Sequence, residues 1–304
     1  MSLSDFQAIK ENSSAGVIAC LPVYNAESFI VETLQCLRNQ SYQNFRVLIS
    51  DDCSTDRTVS IIQSVIKDDG RFILIEQDKN LGWVDNVNFL MSEAVTIGTY
   101  VFIYPHDDLI EPDYIKQLAQ ALDSNPSAAM AFCDLKVKSK VFSYTELQDA
   151  KTRTERLKIL IHRKGIWWIA YRGLCRSEVI KKVIPLEKNV LGSREWSADF
   201  NWIVKIAIQG NIVRVPVVLY TKRYHGNNFS NRLKPNIINY YGNMIACSLI
   251  LFKGPFGVSE QFSYQFIIFG KLLKRPFKLR FLRKVVKKII RTFLKFYHKS
   301  ETIN

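Results

Sequence analysis

The stretch NFRVLISDDCSTDRT (44–58) sets an apolar run directly against three carboxylates within six positions. FRVLIS has the aliphatic and β-branched content of a buried strand. Asp51, Asp52 and Asp56 repel one another, so their gathering at the strand's end needs a reason. Asp and Ser cap helices and build turns, which is one reason. A calcium loop is another, because Asp52, Ser54 and Asp56 alternate as ligands do. That loop would need Gly where Arg57 stands and Glu where Gln63 stands, so it fails. A polar ligand at the carboxyl end of the strand remains.

Working outward, the same pattern recurs. GVIACLPV (16–23) reads as a buried strand ending at Pro22 and the polar turn Tyr24–Asn25–Ala26–Glu27. Phe29, Ile30, Thr33, Leu34 and Leu37 then share one helical face. Val59, Ile62, Val65 and Ile66 mark a second amphipathic helix after the acidic cluster. Strands are expected at 71–77, 99–105 and 128–137, with helices from the Asn80–Gly82 turn to about Ala94 and over 111–122, Pro112 in the first turn of the latter. Strands alternating with helices imply an α/β fold with a mostly parallel central sheet. Ligands of such sheets bind outside the carboxyl ends of the strands. Those ends carry Pro22, Tyr24 and Glu27, then the acidic cluster, then His106–Asp107–Asp108.

With 47% hydrophobic residues and 12% aromatics, the 304 residues can build a real core. Residues 1–16 lack the apolar stretch of a signal peptide, and no uncharged apolar run reaches the length of a membrane span. Cys20, Cys36, Cys53, Cys133, Cys175 and Cys247 form no CxxC pair, which argues against a zinc site or disulfide framework. A cytoplasmic setting is therefore expected. Of the net charge of +14, residues 271–304 supply most, with twelve Lys/Arg against one Glu. The basic pI thus belongs to the tail, and nucleic-acid binding loses its support. In FLRKVVKKIIRTFLKFY (281–297), apolar pairs recur every four residues with Lys and Arg between them. That pattern suits an amphipathic helix lying on an anionic membrane surface. The alternative is a helix docked on the protein's own body.

The ordered series PVYNAESFI, LRNQSYQNFRVLISDDCSTDRT, NLGWVDNVN and GTYVFIYPHDDLIEPDYI resembles the family 2 glycosyltransferases of the GT-A fold. It spans roughly residues 17–130 and continues more loosely to about 230. The resemblance implies an N-terminal tail (1–16) and a GT-A domain (17–230), divided into a donor-nucleotide half (17–137) and an acceptor half (138–230). A helical C-terminal region (231–304) would follow. It further implies inverting transfer of a sugar from a nucleotide-sugar donor, a UDP-sugar by expectation, to a hydroxyl acceptor. The expected acceptor is a lipid-linked glycan in bacterial surface-polysaccharide assembly, at the inner face of the cell membrane.

By that resemblance Tyr24 offers a flat contact for the base, and Asp51 or Asp52 accepts from its ring N–H, with Asp51 favoured. Asn80 adds a further base contact, while Asp56 caps the next helix. Asp108 is the expected main ligand of Mn²⁺ or Mg²⁺, and Asp107 lies nearer the ribose or the metal's waters. Pro105 stands where the family commonly has another Asp. Asp199 is the expected catalytic base, with Glu195 in reserve and Ala198 replacing a usual Glu. Trp167 and Trp168 would line the acceptor side. His225 would bind metal or phosphate, and Arg223 would neutralise the diphosphate. Two rival readings stay open. A nucleotidyltransferase should carry a Gly-rich basic loop after the first strand, which LPVYNAES lacks. A catalytically inactive, membrane-associated nucleotide-sugar-binding scaffold is suggested by Pro105 and Ala198.

Overall fold

The computed structural model describes residues 15–148, 150–163, 165–225 and 236–273. The N-terminal half alternates strictly. Strand β1 (Ala15–Val23) leads to helix α1 (Ile30–Arg38), β2 (Phe45–Asp51) to α2 (Thr58–Ile66), and β3 (Phe72–Glu76) to α3 (Trp83–Ala94), before β4 (Gly98–Ile103). β1, β2 and β4 are buried almost throughout because helices cover both faces of the parallel sheet. Helix α1 buries Ile30, Thr33, Leu34 and Leu37, the face expected from its spacing.

The chain then forms β5 (Leu109–Ile110), α4 (Tyr114–Asp123), β6 (Ala128–Val137), β7 (Lys140–Phe142) and α5 (Arg153–His162). A 3₁₀ helix (Trp167–Arg172), β8 (Leu174–Arg176), α6 (Ser177–Val183), α7 (Ala198–Gln209) and β9 (Asn211–Lys222) follow. Helices α8 (Ile237–Lys253) and α9 (Val258–Leu273) close the described chain. Among the described residues the strands form one sheet in the order β3-β2-β1-β4-β8-β6-β9-β5, with β7 on β6. The long ladders are parallel, as expected: β1 with β2 and β4, β2 with β3, and β6 with β9. The short β8, β5 and β7 pair antiparallel, so the second half of the sheet is mixed.

Register brings the strand ends level. Val23 sits opposite Asp51, and the Tyr104 amide donates to the Cys20 carbonyl at 2.8 Å just beyond β4. On the other side of the sheet, Lys222 at the end of β9 faces Val137, and Thr221 faces Leu109. The loop 104–108 therefore lies between the two halves of the sheet at one edge.

Pro112 does not enter the first turn of α4, which begins at Tyr114. Its carbonyl instead accepts from the Ser41 amide at 2.8 Å, and Gln40 bonds both the Glu111 carbonyl and the Ile115 amide. The turn is thus held by α1's exit. All six cysteines are free thiols. No described helix is long and apolar enough to cross a membrane. The basic stretch 281–297 and the end of the loop 220–230 lie outside the described residues.

Candidate active site

The β1 and β2 exits are sewn together by side chains. Asn25, at φ 48°, accepts from the Thr55 amide at 2.8 Å, and its own amide donates to the Ser54 hydroxyl at 2.9 Å. Asp51 is buried and accepts from the Ser54 amide at 2.9 Å and the Ser54 hydroxyl at 2.5 Å. Asp56 accepts from the Thr58 amide and hydroxyl and from the Glu27 amide. Burial raises its pKa, but these donors outweigh burial and hold it below the ordinary value. Glu27 itself pairs with the Arg57 side chain at 3.2 Å. Tyr24 leaves its ring 39% exposed at the mouth of this turn.

Asp52 and Glu195 do a related job. Gly82 precedes α3 at φ 82°, and the first amides of a helix lack intrahelical partners. Asp52 takes the Leu81 and Gly82 amides at 2.6 and 2.9 Å, and Glu195 reaches across the fold to the Val84 amide at 3.2 Å. Glycine suits the positive φ there, and a Cβ on Gly82 would lie 2.9 Å from the Glu195 carboxylate and displace it. Two carboxylates at a helix N-terminus also suit its dipole. Asn80 donates to the Asp52 carbonyl and accepts from the Gly82 amide, which makes it part of the same turn. Glu195, the expected reserve base, is thus engaged here at the start of α3.

The HDD motif separates into two environments. Asp108 is fully buried. Its carboxylate accepts from Arg172 Nε at 3.0 Å, the Tyr220 hydroxyl at 2.9 Å and the Arg223 amide at 3.1 Å. Arg172 is itself largely covered, its side chain 11% exposed, and lies over the Trp168 and Tyr220 rings. Burial lowers the Arg172 pKa, but Asp108 more than restores it, leaving it above the ordinary value. Asp108, the expected main metal ligand, is thus held here as the counterion of Arg172. Arg172, inside the apolar run WWIAYRGLC, was not singled out by sequence reasoning. A lone Arg in such a run is the signal that a buried acid must exist elsewhere.

Asp107 is the outward member of the pair. Its carboxylate lies 3.0 Å from His225 Nε2, and His225 stacks on Phe29 with ring centroids 4.2 Å apart. Burial pushes the Asp107 pKa up, but His106, Lys222 and His225 together hold it below the ordinary carboxylate value. His106 donates from Nδ1 to the Pro22 carbonyl at 3.2 Å, if protonated there, which ties this loop to the end of β1. Arg223 bonds the Asp107 carbonyl, the Glu32 carboxylate, the Phe29 carbonyl and the Thr33 hydroxyl. Its guanidinium, expected to neutralise a diphosphate, here fastens the loop to α1.

Lys222, also not singled out earlier, is the cation that faces this edge. Tyr220 and Lys222 alternate onto one face of β9, and the Tyr220 hydroxyl is already on Asp108. Burial and then Arg172 hold the Lys222 pKa below the ordinary value, against a partial upward pull from Asp108, Asp107 and Asp199. Lys222 is therefore within electrostatic reach of both the HDD loop and Asp199. Asp199 lies in the first turn of α7, accepting from the Phe200 amide at 2.8 Å. Its surface is only partly covered, yet surrounding protein is dense enough that burial raises its pKa against the pull of Arg172, Arg163 and Lys222. Trp167 packs edge-on to Phe200 and Trp168 against Phe142, both partly exposed. A cavity of about 250 Å³ between α6, α7 and α8 is lined by none of these candidate residues.

A family model for glycosyl transferase family 2 matches residues 18–178, more than half of the chain. The chain belongs to glycosyl transferase family 2. An uncharacterized glycosyltransferase of Haemophilus influenzae is 24% identical over 77% of this chain and 76% of its own length. The uncharacterized protein y4gI of Sinorhizobium fredii is 26% identical over 71% of this chain, which spans only 23% of that relative. Among solved structures, Staphylococcus aureus TarS in complex with UDP-GlcNAc superposes with a TM-score of 0.67 at 17% identity, covering 85% of this chain and 71% of that one. A Pyrobaculum calidifontis mannosyltransferase in complex with GDP-Man and Mn²⁺ gives 0.52 at 14% identity, covering 94% and 87%. The α/β architecture of this family 2 chain is thus that of the GT-A glycosyltransferases.

A divalent cation can be tested against these residues. No three His, Cys, Asp or Glu side chains converge as a cluster among the described residues. Mg²⁺, however, is commonly held by one or two protein ligands, with substrate phosphates and water completing the shell. Asp107 and His225, 3.0 Å apart, fit that requirement; Asp108 is fully buried and taken up here by Arg172, Tyr220 and Arg223.

Proposed function

We propose that this chain is an inverting glycosyltransferase that moves a sugar from a nucleotide-sugar, of UDP type, to a hydroxyl of a lipid-linked glycan in surface-polysaccharide synthesis. The observation that carries this reading is the meeting of the HDD loop with the end of β9. The Arg223 amide bonds Asp108, its side chain bonds the Asp107 carbonyl and His225 lies 3.0 Å from Asp107, with Lys222 within electrostatic reach of Asp107, Asp108 and Asp199. The sites for a departing diphosphate and for an incoming hydroxyl then share one cation. Tyr24 supplies a face for the base, and the Asp51 turn supplies its polar edge. Lys222 offsets the charge that grows on the leaving phosphate oxygen as the anomeric C–O bond breaks. Asp199 takes the acceptor proton as the acceptor oxygen bonds to the anomeric carbon from the opposite side. A Mn²⁺ or Mg²⁺ held by Asp107 and His225 would neutralise and orient the diphosphate. The Arg172–Asp108 pair keeps the HDD loop rigid beneath it. The basic tail would hold the enzyme at an anionic membrane face, where a lipid-linked acceptor resides.

Thermal shift with UDP-, GDP- and dTDP-sugars, with and without Mn²⁺, tests the donor side. One nucleotide class should raise Tm in a metal-dependent way, because a ligand bound only to the folded state stabilises it by mass action. Asp107→Asn should lose the metal-dependent part. Lys222→Met should weaken nucleoside diphosphate binding more than nucleoside monophosphate binding. If no nucleotide shifts Tm, or both variants respond as the parent does, the donor site lies elsewhere.

A further inference from the structure

Helix α9 is apolar on two opposite sides. Its inner side buries Tyr264 and Ile268, with the Tyr264 hydroxyl at 3.2 Å from Thr154 Oγ1. Its flanks are committed as well: Gln265 bonds Ser248, Gln261 bonds the Phe252 carbonyl, and Lys271 bonds the His162 carbonyl. The outer side carries Val258, Phe262, Phe266 and Phe269, exposed by 72, 72, 79 and 57%. Their spacing of four, four and three residues aligns them in one stripe. No charged residue interrupts it. An exposed apolar stripe of this kind, on a helix whose opposite side is already buried, calls for cover of its own.

Charge decides among the possible covers. Residues 237–273 contain a single carboxylate, Glu260, and it is already engaged by Arg153 and Thr154. Residues 271–304, beginning in the last turn of α9, hold twelve Lys/Arg against one Glu. If that basic segment folded back over the stripe, this helical pair would offer it no free counter-charge. A second copy seated on the stripe would bring two such segments together. An anionic lipid surface offers both an apolar layer for the phenylalanines and counter-charge for the basic residues.

We propose that Val258, Phe262, Phe266 and Phe269 bed into the interfacial layer of an anionic membrane, so that attachment is hydrophobic through α9 as well as electrostatic through the basic residues that follow. The inference rests on the membrane reading above and adds to it the residues that enter the lipid. Attachment by charge alone should vanish as salt screens it, whereas aromatic insertion should persist.

The test is sedimentation of the full chain with phosphatidylcholine vesicles, with and without 25 mol% phosphatidylglycerol, at about 0.1 and 0.5 M NaCl, ionic strengths chosen to shorten the screening length. The parent should bind the anionic vesicles and retain a fraction at the higher salt. F262S/F266S/F269S should bind at least tenfold more weakly at the higher salt while keeping the parent's nucleotide-induced rise in Tm, which reports an intact fold. In a separate variant, Phe266→Trp fluorescence should be quenched by brominated acyl chains. Equal binding by parent and triple variant would overturn the assignment of α9 while leaving the electrostatic reading in place. A parent that binds no vesicles would overturn both. A parent that is dimeric, with a monomeric triple variant and unchanged vesicle binding, would instead assign the stripe to self-association.

Discussion

Asp199→Asn should bind nucleotide and metal as the parent does and turn over roughly 10²–10⁴-fold more slowly, the usual contribution of a positioned general base. The substitution keeps the size and an oxygen for the Phe200 amide, 2.8 Å away, but removes basicity. A base acts on the acceptor hydroxyl only as the new bond forms, so donor affinity is spared. Burial raises the Asp199 pKa, so the acid limb of kcat should fall above the ordinary carboxylate value of roughly 3.9. That limb should disappear in the variant. The sign for stability follows from the same shift. A carboxylate whose folded pKa is raised disfavours folding when ionised, and that cost vanishes as pH falls below the unfolded value. Asp199→Asn should therefore raise Tm at pH 7 and leave it nearly unchanged at strongly acidic pH. Unchanged turnover, or lost nucleotide binding, would remove Asp199 from the chemistry.

The second large effect concerns the buried pair beneath the cleft. Arg172→Met conserves much of the side-chain volume but leaves Asp108 fully buried without its cation. Removing one partner of such a pair costs about 3–5 kcal/mol, because the other is stranded as an uncompensated charge. Chemical denaturation should show that loss as a lower midpoint with an unchanged slope. Adding Asp108→Asn to Arg172→Met should recover a substantial part of it, since neutral partners no longer strand a charge. If Arg172→Met unfolds at the parent's midpoint, the pair is not the support proposed here. If Asp108→Asn abolishes metal binding while stability is unchanged, Asp108 returns to the metal.

The two cases show which inferences the sequence could support. Strand β2 and its acidic exit were legible because burial by helices on both sides leaves an unbroken apolar run. Helix α1's face was legible from its spacing. The roles of individual carboxylates were less so, since each depends on a donor distant in the chain. Asp108 is 64 residues from Arg172, and Glu195 is 111 residues from Val84. The HDD motif places two acids side by side, but only the fold turns one inward to Arg172 and the other outward to His225. Lys222 is not distinctive in the sequence, because a Lys at a strand end is ordinary until the fold brings acids from distant segments within its electrostatic reach. Arg223 was legible as a cation near the motif, whereas its capture by Glu32 and the α1 entrance was not.

The central claim is that this cleft transfers a glycosyl group with inversion and that Asp199 provides the base. Water can replace the acceptor, so the direct measurement is proton NMR of the anomeric signal during slow hydrolysis of the donor selected by thermal shift, with Mn²⁺ replaced by Mg²⁺ to avoid paramagnetic broadening. The first sugar released from an α-linked donor should be the β anomer, and Asp199→Asn should release it far more slowly. Release of the α anomer, or equal release by parent and variant, would contradict the account.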